Sequence, residues 1–213
     1  MVDFQLLAAQ LRQPHDEFGI EVALQMNVSN EALTLSAIDT LELHKGDNVL
    51  EIGMGNGLFC KNVLAAEDTS YTGCDFSELM VSEAASINKE YISAGRANFI
   101  LGNASNMPFP DNAFDKIFTI NTIYFWDDPV NILSEIRRVL KPDGLVSIGL
   151  RTEESMKVLP FFQYGFTGYD KQKLSELLEQ NGFDIIEIKV EKDKKIETEN
   201  NTIQMDNMIA VCR

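Results

Sequence analysis

Cysteine and histidine are scarce in this sequence. Its 213 residues include three cysteines and two histidines, and the cysteines are scattered along the chain. Structural metal centres need several such ligands at short spacings, and disulfide frameworks need paired cysteines. We therefore expect neither a metal site nor a disulfide-stapled fold. Unpaired thiols are typical of a reducing compartment, so we expect a cytoplasmic protein.

Positive charge and long apolar runs are scarce too. There are 18 basic residues against 33 acidic ones, which gives a net charge of −15. An acidic surface repels nucleic acid and anionic membranes, and no apolar run reaches the length of a membrane span. The first residues carry no basic stretch, so we expect no secretory signal. We predict no nucleic-acid partner and no membrane span, and the oligomeric state stays open.

Short apolar runs alternate with amphipathic stretches, which is typical of an α/β fold with a parallel sheet. Runs rich in Val, Ile and Phe predict five buried strands, at residues 48–52, 71–74, 98–101, 116–120 and 145–150. Two more strands are predicted near residues 183–190 and 203–212. The connection of about a dozen residues between them is too short for a helical crossover, so we expect an antiparallel hairpin. The length suits one domain.

Capping residues mark the helices expected between the strands. Ser77, Asp128 and Asp170 are predicted N-caps, and Pro142 with Gly144 would stop the helix that follows Asp128. Two helices are predicted at residues 58–66 and 77–94. The first 45 residues predict two or three helices and no strand, so they would pack over an edge or the mouth of the sheet.

The segment NVLEIGMGNG, residues 48–57, places three glycines behind an apolar run and one acid. These are Gly53, Gly55, Gly57 and Glu51. Glycine permits positive φ and close approach of a ligand, and the following helix start offers unpaired N–H groups. A dinucleotide fingerprint would need glycine or alanine at position 58, where this chain has Leu58. Glu51 would disfavour a pyrophosphate and favour a cationic ligand with an amino group and a sulfonium. A simple tight turn remains the alternative.

A second acid follows the next predicted strand. Asp75 lies 22 residues beyond Gly53, a spacing typical of an acid that accepts both ribose hydroxyls. Phe76 offers an apolar face for a purine. Asp75 would alternatively be only a helix cap. On adjacent strands and in this order, the glycine loop and Asp75 together indicate a ribose-bearing ligand.

Four segments in order carry a resemblance to a known family: VLEIGMGNG, YTGCDFSELM, GNASNMPFPDNAFDKIF and EIRRVLKPDGLVSI. Over roughly residues 45–190 the chain resembles the class I S-adenosylmethionine (SAM)-dependent methyltransferases, especially the small-molecule branch related to ubiquinone and menaquinone methyltransferases. The resemblance implies a Rossmann-like open sheet of seven strands in the order 3-2-1-4-5-7-6, with the last strand antiparallel and helices on both faces. We divide the chain into an N-terminal helical cap or lid, residues 1–45, and a methyltransferase domain, residues 46–213.

The resemblance also implies a SAM site. The loop glycines would lie against the methionine part and the ribose, Glu51 would position the amino group, Asp75 would bind the ribose hydroxyls and Phe76 would pack on the adenine. Asn103 and Ala104 would meet the adenine edge. Many relatives have aspartate where Asn103 stands, and because an amide both accepts and donates, we expect cofactor binding to survive this change.

The acceptor side is less defined. The end of the fourth strand predicts a wall of Asn121, Tyr124 and Trp126, for which plain packing is the alternative. His15, in the cap, is a candidate base if it faces the acceptor, whereas His44 is expected to face away.

A second aromatic run, FFQYGFTGY at residues 161–169, either faces the acceptor or forms a satellite core. If it faces the acceptor, the acceptor is apolar or aromatic. Arg12 would be the anion-binding group of the lid.

The function implied is transfer of a methyl group by in-line displacement to a small, apolar or aromatic acceptor, and no covalent nucleophile is needed for it. Two alternatives stay open: a non-catalytic SAM-binding regulatory subunit, and an NAD(P)-dependent oxidoreductase on a similar sheet. The acceptor's identity, its reacting atom (O, N, C or S) and the use of a general base are not determined by the sequence, and a protein acceptor remains possible.

Overall fold

The structure, a computed structural model, describes residues 3–197 and 202–213. Two helices come first, α1 (Phe4–Arg12) and α2 (Asp16–Asp39). Strands and helices then alternate as β1 (Asn48–Ile52), α3 (Cys60–Val63), β2 (Ser70–Asp75), α4 (Glu78–Ile87), α5 (Lys89–Ser93), β3 (Ala97–Leu101) and β4 (Phe114–Ile120). The remaining elements are α6 (Pro129–Val139), β5 (Leu140–Arg151), α7 (Glu153–Lys157), α8 (Lys171–Gln180), β6 (Ile185–Glu197) and β7 (Thr202–Cys212).

The seven strands form one sheet in the order β3-β2-β1-β4-β5-β7-β6. The first five strands pair in parallel, and β7 pairs antiparallel with both β5 and β6. The predicted order and the antiparallel last strand are therefore confirmed. This order places β1 between β2 and β4, so the chain leaves β1 toward one edge and returns on the other side. Such a reversal point is where open α/β sheets bind ligands, beyond the carboxyl ends of the strands.

The C-terminal hairpin is longer than predicted. β6 extends to Glu197 and β7 begins at Thr202, so much of the expected loop is strand. Lys192 pairs with Asp206, and a register shift follows before the next pair. Charged residues are compatible with this extension because the two strands satisfy each other's backbone groups, and the Lys192–Asp206 pair brings opposite charges together. The centre of the expected loop, residues 198–201, lies outside the described residues.

Two predicted helices are shorter or divided. The helix predicted at residues 58–66 is the single turn α3, and the one predicted at residues 77–94 is divided into α4 and α5. The division falls at Asn88, whose buried amide donates to the carbonyls of Gly57 and Ala84, each at 3.0 Å. An asparagine that bonds to a neighbouring loop competes with the helix, which explains the break.

The predicted caps are confirmed. The Ser77 hydroxyl accepts from the Met80 N–H at 3.3 Å, and Asp128 and Asp170 accept from the third residue beyond each at 3.1 and 2.8 Å. The helix that follows Asp128 ends at Val139, three residues before Pro142, so the predicted stop is confirmed. β5 begins earlier than predicted, at Leu140, and includes both Pro142 and Gly144.

The core has a layer on each face of the sheet. One layer packs α6 and α8 against the sheet and includes Ile136 and Leu174. The other contains Leu33 and Ala37 of α2 with Phe118 of β4. The C-terminal half of α2 is thus part of the core, and the division of the chain near residue 45 stays a prediction. No helix among the described residues is long and apolar enough to cross a membrane.

The Asp170 cap allows a test of the fold that leaves the ligand crevice untouched. We expect Asp170→Ala to lower the free energy of unfolding by about 1 kcal/mol, because the first turn of α8 loses the acceptor of an unpaired N–H. Urea unfolding followed by circular dichroism measures this change. Asp143→Ala, at an exposed position in β5, is the control and should change little. Equal midpoints for the two variants would contradict the assignment.

Candidate active site

A cavity of about 580 Å³ lies at the carboxyl ends of the central strands, beneath α1 and α2. Its floor comes from the ends of β1, β2 and β4, and the first half of α2 closes it from above. The lining includes nearly all of the predicted site residues: Glu51, Gly53, Gly55, Asp75, Phe76, Asn103, Ala104, Asn121, Tyr124 and Trp126. The folded chain therefore brings residues from distant segments into one cavity.

The three loop glycines have different surroundings. All have positive φ, at +72°, +56° and +66° for Gly53, Gly55 and Gly57. A Cβ atom on Gly55 would meet nothing within 4 Å, whereas one on Gly57 would lie 2.9 Å from carbon atoms of Ala84 and Phe99. Gly57 does not line the cavity. Gly55 thus leaves room for a ligand, and Gly57 leaves room for α4 and β3 to pack.

Asp75 ties the glycine loop to the end of β2. Its carboxylate accepts from the Gly55 N–H at 3.0 Å through Oδ2 and from the Ser77 N–H at 2.9 Å through Oδ1. Burial raises the pKa of Asp75 to about 6, although the N–H groups of Ser77 and Gly55 oppose this rise. Each oxygen retains a lone pair for another donor. Since Ser77 caps α4, Asp75 is not the N-cap that the alternative interpretation required.

Glu51 is a second buried acid on the cavity wall, with 4% of its surface exposed. The Tyr71 hydroxyl donates to its Oε2. Burial raises the pKa of Glu51 to about 8; the Tyr71 hydrogen bond lowers it and the Asp75 charge raises it. Two acids near one glycine loop make this end of the cavity attractive to a cation.

The outer edge of this end is formed by the segments that follow β2 and β3. Phe76 is 41% exposed and faces the cavity, with Asn103 and Ala104 nearby in its lining. The Asn103 carbonyl oxygen Oδ1 accepts from both the N–H and the hydroxyl of Ser105 at 2.9 Å. Its amide nitrogen is therefore the group left to donate to a ligand.

The wall that follows β4 is tightly hydrogen-bonded. Asn121 has a φ of +55° and donates to Asn30 of α2 at 3.0 Å. The Tyr124 hydroxyl donates to Asn121 at 2.9 Å and accepts from the Arg151 N–H at 2.5 Å. Burial raises the pKa of Tyr124 well above its ordinary value. Tyr124 therefore uses its hydroxyl in the fold and offers the cavity its ring, next to Trp126.

The second aromatic run is divided between the two predicted roles. Phe161 and Phe166 line the cavity, and the ring of Phe166 lies 4.7 Å from that of Phe125. Tyr169 is buried in the core, and Tyr164 is 41% exposed. Part of the run thus faces the cavity, and part is satellite core.

Five methionines that were not predicted line the cavity. Met54 lies in the glycine loop and Met80 in α4, and Met26, Met156 and Met205 come from α2, α7 and β7. They follow no shared motif, so the sequence carries no signal for them.

Arg151 is another cavity residue that was not predicted, although its position at the carboxyl end of β5 was a usable signal. Its buried guanidinium contacts the Ser29 carbonyl at 3.0 Å and Asp193 at 3.1 Å.

The two histidines are not brought into the cavity. His15 is exposed at the start of α2, where its ring lies 3.2 Å from the Gln10 amide. His44 is exposed in the turn before β1, as expected. In the described part of the chain, no group of three His, Cys, Asp or Glu side chains is placed to hold a metal ion.

The segment between α1 and α2 contacts the rim of the cavity. The Ser77 hydroxyl donates to the Pro14 carbonyl at 2.5 Å, and the Gln13 amide donates to the Phe76 carbonyl at 3.3 Å. Arg12, predicted to bind an anion, is paired with Asp127 on the opposite rim. This segment therefore bridges the mouth from the β2 side to the β4 side.

The amino-acid sequence is similar to those of known methyltransferases. Residues 50–148 match a family described as a methyltransferase domain. The O-methyltransferase rstn1 of Aspergillus nomiae is 30% identical over 188 residues, which are 82% of this chain and 78% of the relative. The uncharacterized methyltransferase YdaC of Bacillus subtilis is 30% identical over 131 residues, which are 61% of this chain and 70% of the relative.

A solved structure supports the fold. A SAM-dependent methyltransferase from Aquifex aeolicus superposes with a TM-score of 0.65 at 19% identity, and the match covers 99% of each chain. The sheet order and the glycine loop define a Rossmann-like α/β protein of the methyltransferase type. With the relatives above, the chain belongs to the class I SAM-dependent methyltransferases, and SAM is its cofactor. The narrower ubiquinone-type branch stays a prediction.

The different surroundings of the loop glycines yield a paired test. We expect Gly55→Ala to weaken binding of S-adenosylhomocysteine roughly tenfold or more, because its methyl group would enter the open cavity. Gly57→Ala should instead destabilise the fold, because its methyl group would meet Ala84 and Phe99. Both variants place alanine at positive φ, so each controls for backbone strain in the other. Calorimetry and thermal unfolding measure the two effects. If the two variants had the same affinity and the same stability, the different roles assigned to Gly55 and Gly57 would be refuted.

Proposed function

We propose that the protein transfers the methyl group of SAM to an oxygen of a small, apolar or aromatic acceptor. One observation carries the proposal: a single cavity joins an acid-lined glycine loop to a wall of aromatic and methionine side chains. The acidic end suits a cationic cofactor, and the aromatic end suits a hydrophobic acceptor. The two ligands would then meet near Asn121 and Tyr124.

The residues at the acidic end fit SAM. Gly55 has open space where a side chain would stand, which leaves room for the ligand against the backbone. Asp75 retains lone pairs for the ribose hydroxyls, and Glu51 offers an acid to the ammonium group. Phe76 would pack on the adenine. The amide nitrogen of Asn103 would donate to a ring nitrogen, because its oxygen is taken by Ser105.

Orientation is the main contribution of the protein in this proposal. When bound, SAM supplies a methyl group on a positively charged sulfur, which an acceptor displaces in line. The chain would hold the two ligands in that line and keep water out, and orientation of this kind accounts for about 7–11 kcal/mol of a barrier. Asn121 and Tyr124 are held by Asn30 and Arg151, so they form a rigid wall at the proposed meeting point.

The acceptor is inferred from the opposite wall. Its described lining is dominated by Phe125, Trp126, Phe161 and Phe166 with the methionines of α2, α7 and β7. Aromatic and methionine side chains bury apolar surface and adapt to its shape. Oxygen is proposed as the reacting atom because the relative that the chain spans to 78% is named an O-methyltransferase. An acceptor hydroxyl of low pKa would release its proton to bulk water before the cavity closes over it.

Histidine catalysis is not part of the proposal. His15 and His44 stand outside the cavity, and Tyr124 is engaged in the fold. An acceptor hydroxyl with a low pKa would react without a base from the protein.

The two alternatives predict different results. A regulatory subunit would bind SAM and methylate nothing, and an oxidoreductase would bind NAD(P). Neither gains support from the relatives, which carry methyltransferase names.

A methyl-transfer assay tests the proposal. We expect radiolabelled SAM to label one or more members of a panel of phenols and apolar hydroxy compounds. Phe166→Ala should raise the acceptor KM roughly tenfold, because an aromatic contact is lost, with SAM affinity unchanged. Tyr164→Ala, in the same segment but outside the cavity, is the matched control. SAM binding without labelling of any acceptor would favour the regulatory alternative, and binding of NAD(P) alone would favour an oxidoreductase.

Limited proteolysis tests the lid. We propose that the segment from Arg12 to His15 closes over the bound cofactor, because it already contacts Phe76 and Ser77 beside the site. S-adenosylhomocysteine should therefore slow tryptic cleavage after Arg12 severalfold. Cleavage after Lys171, at the start of α8, is the internal control. Equal cleavage after Arg12 with and without the ligand would count against a lid.

A further inference from the structure

Tyr71 and Glu51 form a buried pair on neighbouring strands. In the parallel pairing of β1 with β2, Tyr71 lies opposite Val49, and Glu51 lies opposite Gly73. Tyr71 and Glu51 are therefore offset by two residues along the strand direction. Tyr71 is 1% exposed, and its hydroxyl donates to Oε2 of Glu51. Its ring packs on Phe99 with the centroids 5.7 Å apart.

Packing alone does not require this hydroxyl. A phenylalanine would fill the same space, and a buried hydroxyl is unfavourable unless it is hydrogen-bonded. Burial raises the pKa of Tyr71 well above its ordinary value, so the group keeps its proton and acts as a donor. The described hydrogen bond of Glu51 uses Oε2, which leaves Oε1 for a ligand in the cavity that Glu51 lines.

We propose that Tyr71 is a positioning residue of the SAM site, which orients the Glu51 carboxylate toward the ammonium group of the ligand and favours its charged form. This inference rests on the proposed role of Glu51. Tyr71 does not line the cavity, so it acts through Glu51 and not by contact with the ligand.

The other charged groups near Glu51 do not replace Tyr71. The Asp75 charge acts in the opposite direction and raises the pKa of Glu51. Cys60 of α3 stays neutral, because burial raises its pKa to about 12. The Arg96 guanidinium is committed to the carbonyls of Leu64 and Thr69. Among the described residues, it is the hydrogen bond from Tyr71 that lowers the pKa of Glu51.

The pH dependence of ligand binding follows from the pKa of Glu51 and from the direction in which Tyr71 changes it. The pKa of Glu51 is about 8 in the ligand-free protein, so its ionised fraction increases between pH 6.5 and 8.5. A ligand ammonium prefers the ionised acid, so affinity should rise with pH in this range, with release of a proton on binding. Removal of the Tyr71 hydroxyl should shift this rise to higher pH. Asp75, with a pKa of about 6, contributes at lower pH.

Calorimetry of the whole protein tests the inference with S-adenosylhomocysteine as the probe. Tyr71→Phe should bind roughly tenfold more weakly than the wild type at pH 7, which corresponds to a shift of about one pKa unit. The ratio of the two affinities should fall to about two by pH 9, because Glu51 is then at least half ionised in both proteins. The ligand's own ammonium titrates equally in both experiments, so it cancels in the ratio. Tyr91→Phe, at a partly buried tyrosine of α5 outside the cavity, is the control and should follow the wild type.

Three outcomes would overturn the inference: equal affinities at pH 7, a ratio that does not change with pH, or a Tyr71→Phe effect that persists in the Glu51→Gln background. A wild-type protein that binds neither SAM nor its product would instead refute the proposed site itself. If Tyr71→Phe does not fold, replacement of tyrosine by 3-fluorotyrosine, a stronger donor, should shift the binding profile to lower pH. An unshifted profile would also overturn the inference.

Discussion

The carboxylate of Asp75 is the interaction around which the site is arranged. It accepts from Gly55 in the loop after β1 and from Ser77 at the start of α4, so one side chain joins two strand ends and a helix. The Ser77 hydroxyl continues the connection to Pro14, in the segment that bridges the mouth. The position of the loop, the helix and the rim therefore depends on one buried acid.

The two buried acids, Asp75 and Glu51, make the folded protein less stable at neutral pH than at low pH as far as their own ionisation is concerned. Asp75 and Glu51 have raised pKa values, and a carboxyl with a raised pKa contributes stability at low pH that is lost as pH rises through its folded value. The loss runs from pH 3.8 to about 6 for Asp75 and from pH 4.5 to about 8 for Glu51. At neutral pH the folded protein thus holds acidic groups that a cation would stabilise. A local conflict of this kind is common at functional sites, where binding requirements override stability.

The aromatic end of the cavity is held by a network of hydrogen bonds between neutral groups and a buried arginine. The Tyr124 ring is fixed by a polar network that runs from Asn30 of α2 through Asn121 and the Tyr124 hydroxyl to Arg151. Arg151 also meets Ser29 and Asp193, so it joins α2 to the C-terminal hairpin. Residues of α2 line the cavity as far as Thr34, and Leu33 and Ala37 of the same helix lie in the core. The helix α2 therefore connects the cavity wall to the core.

The sequence by itself determined the features that depend on neighbouring residues: the strand that leads into the glycine loop, the helix caps, the hairpin and the acid that ends β2. Several of these features also carry the resemblance that implied the sheet order and the cofactor. Only the tertiary structure decided which glycine faces open space, that Asn88 divides a helix, that His15 lies outside the cavity, and that methionines from α2, α7 and β7 line the same cavity as the aromatic residues. The physical reason is that packing joins residues far apart in the chain, and no local pattern records which side chains will meet.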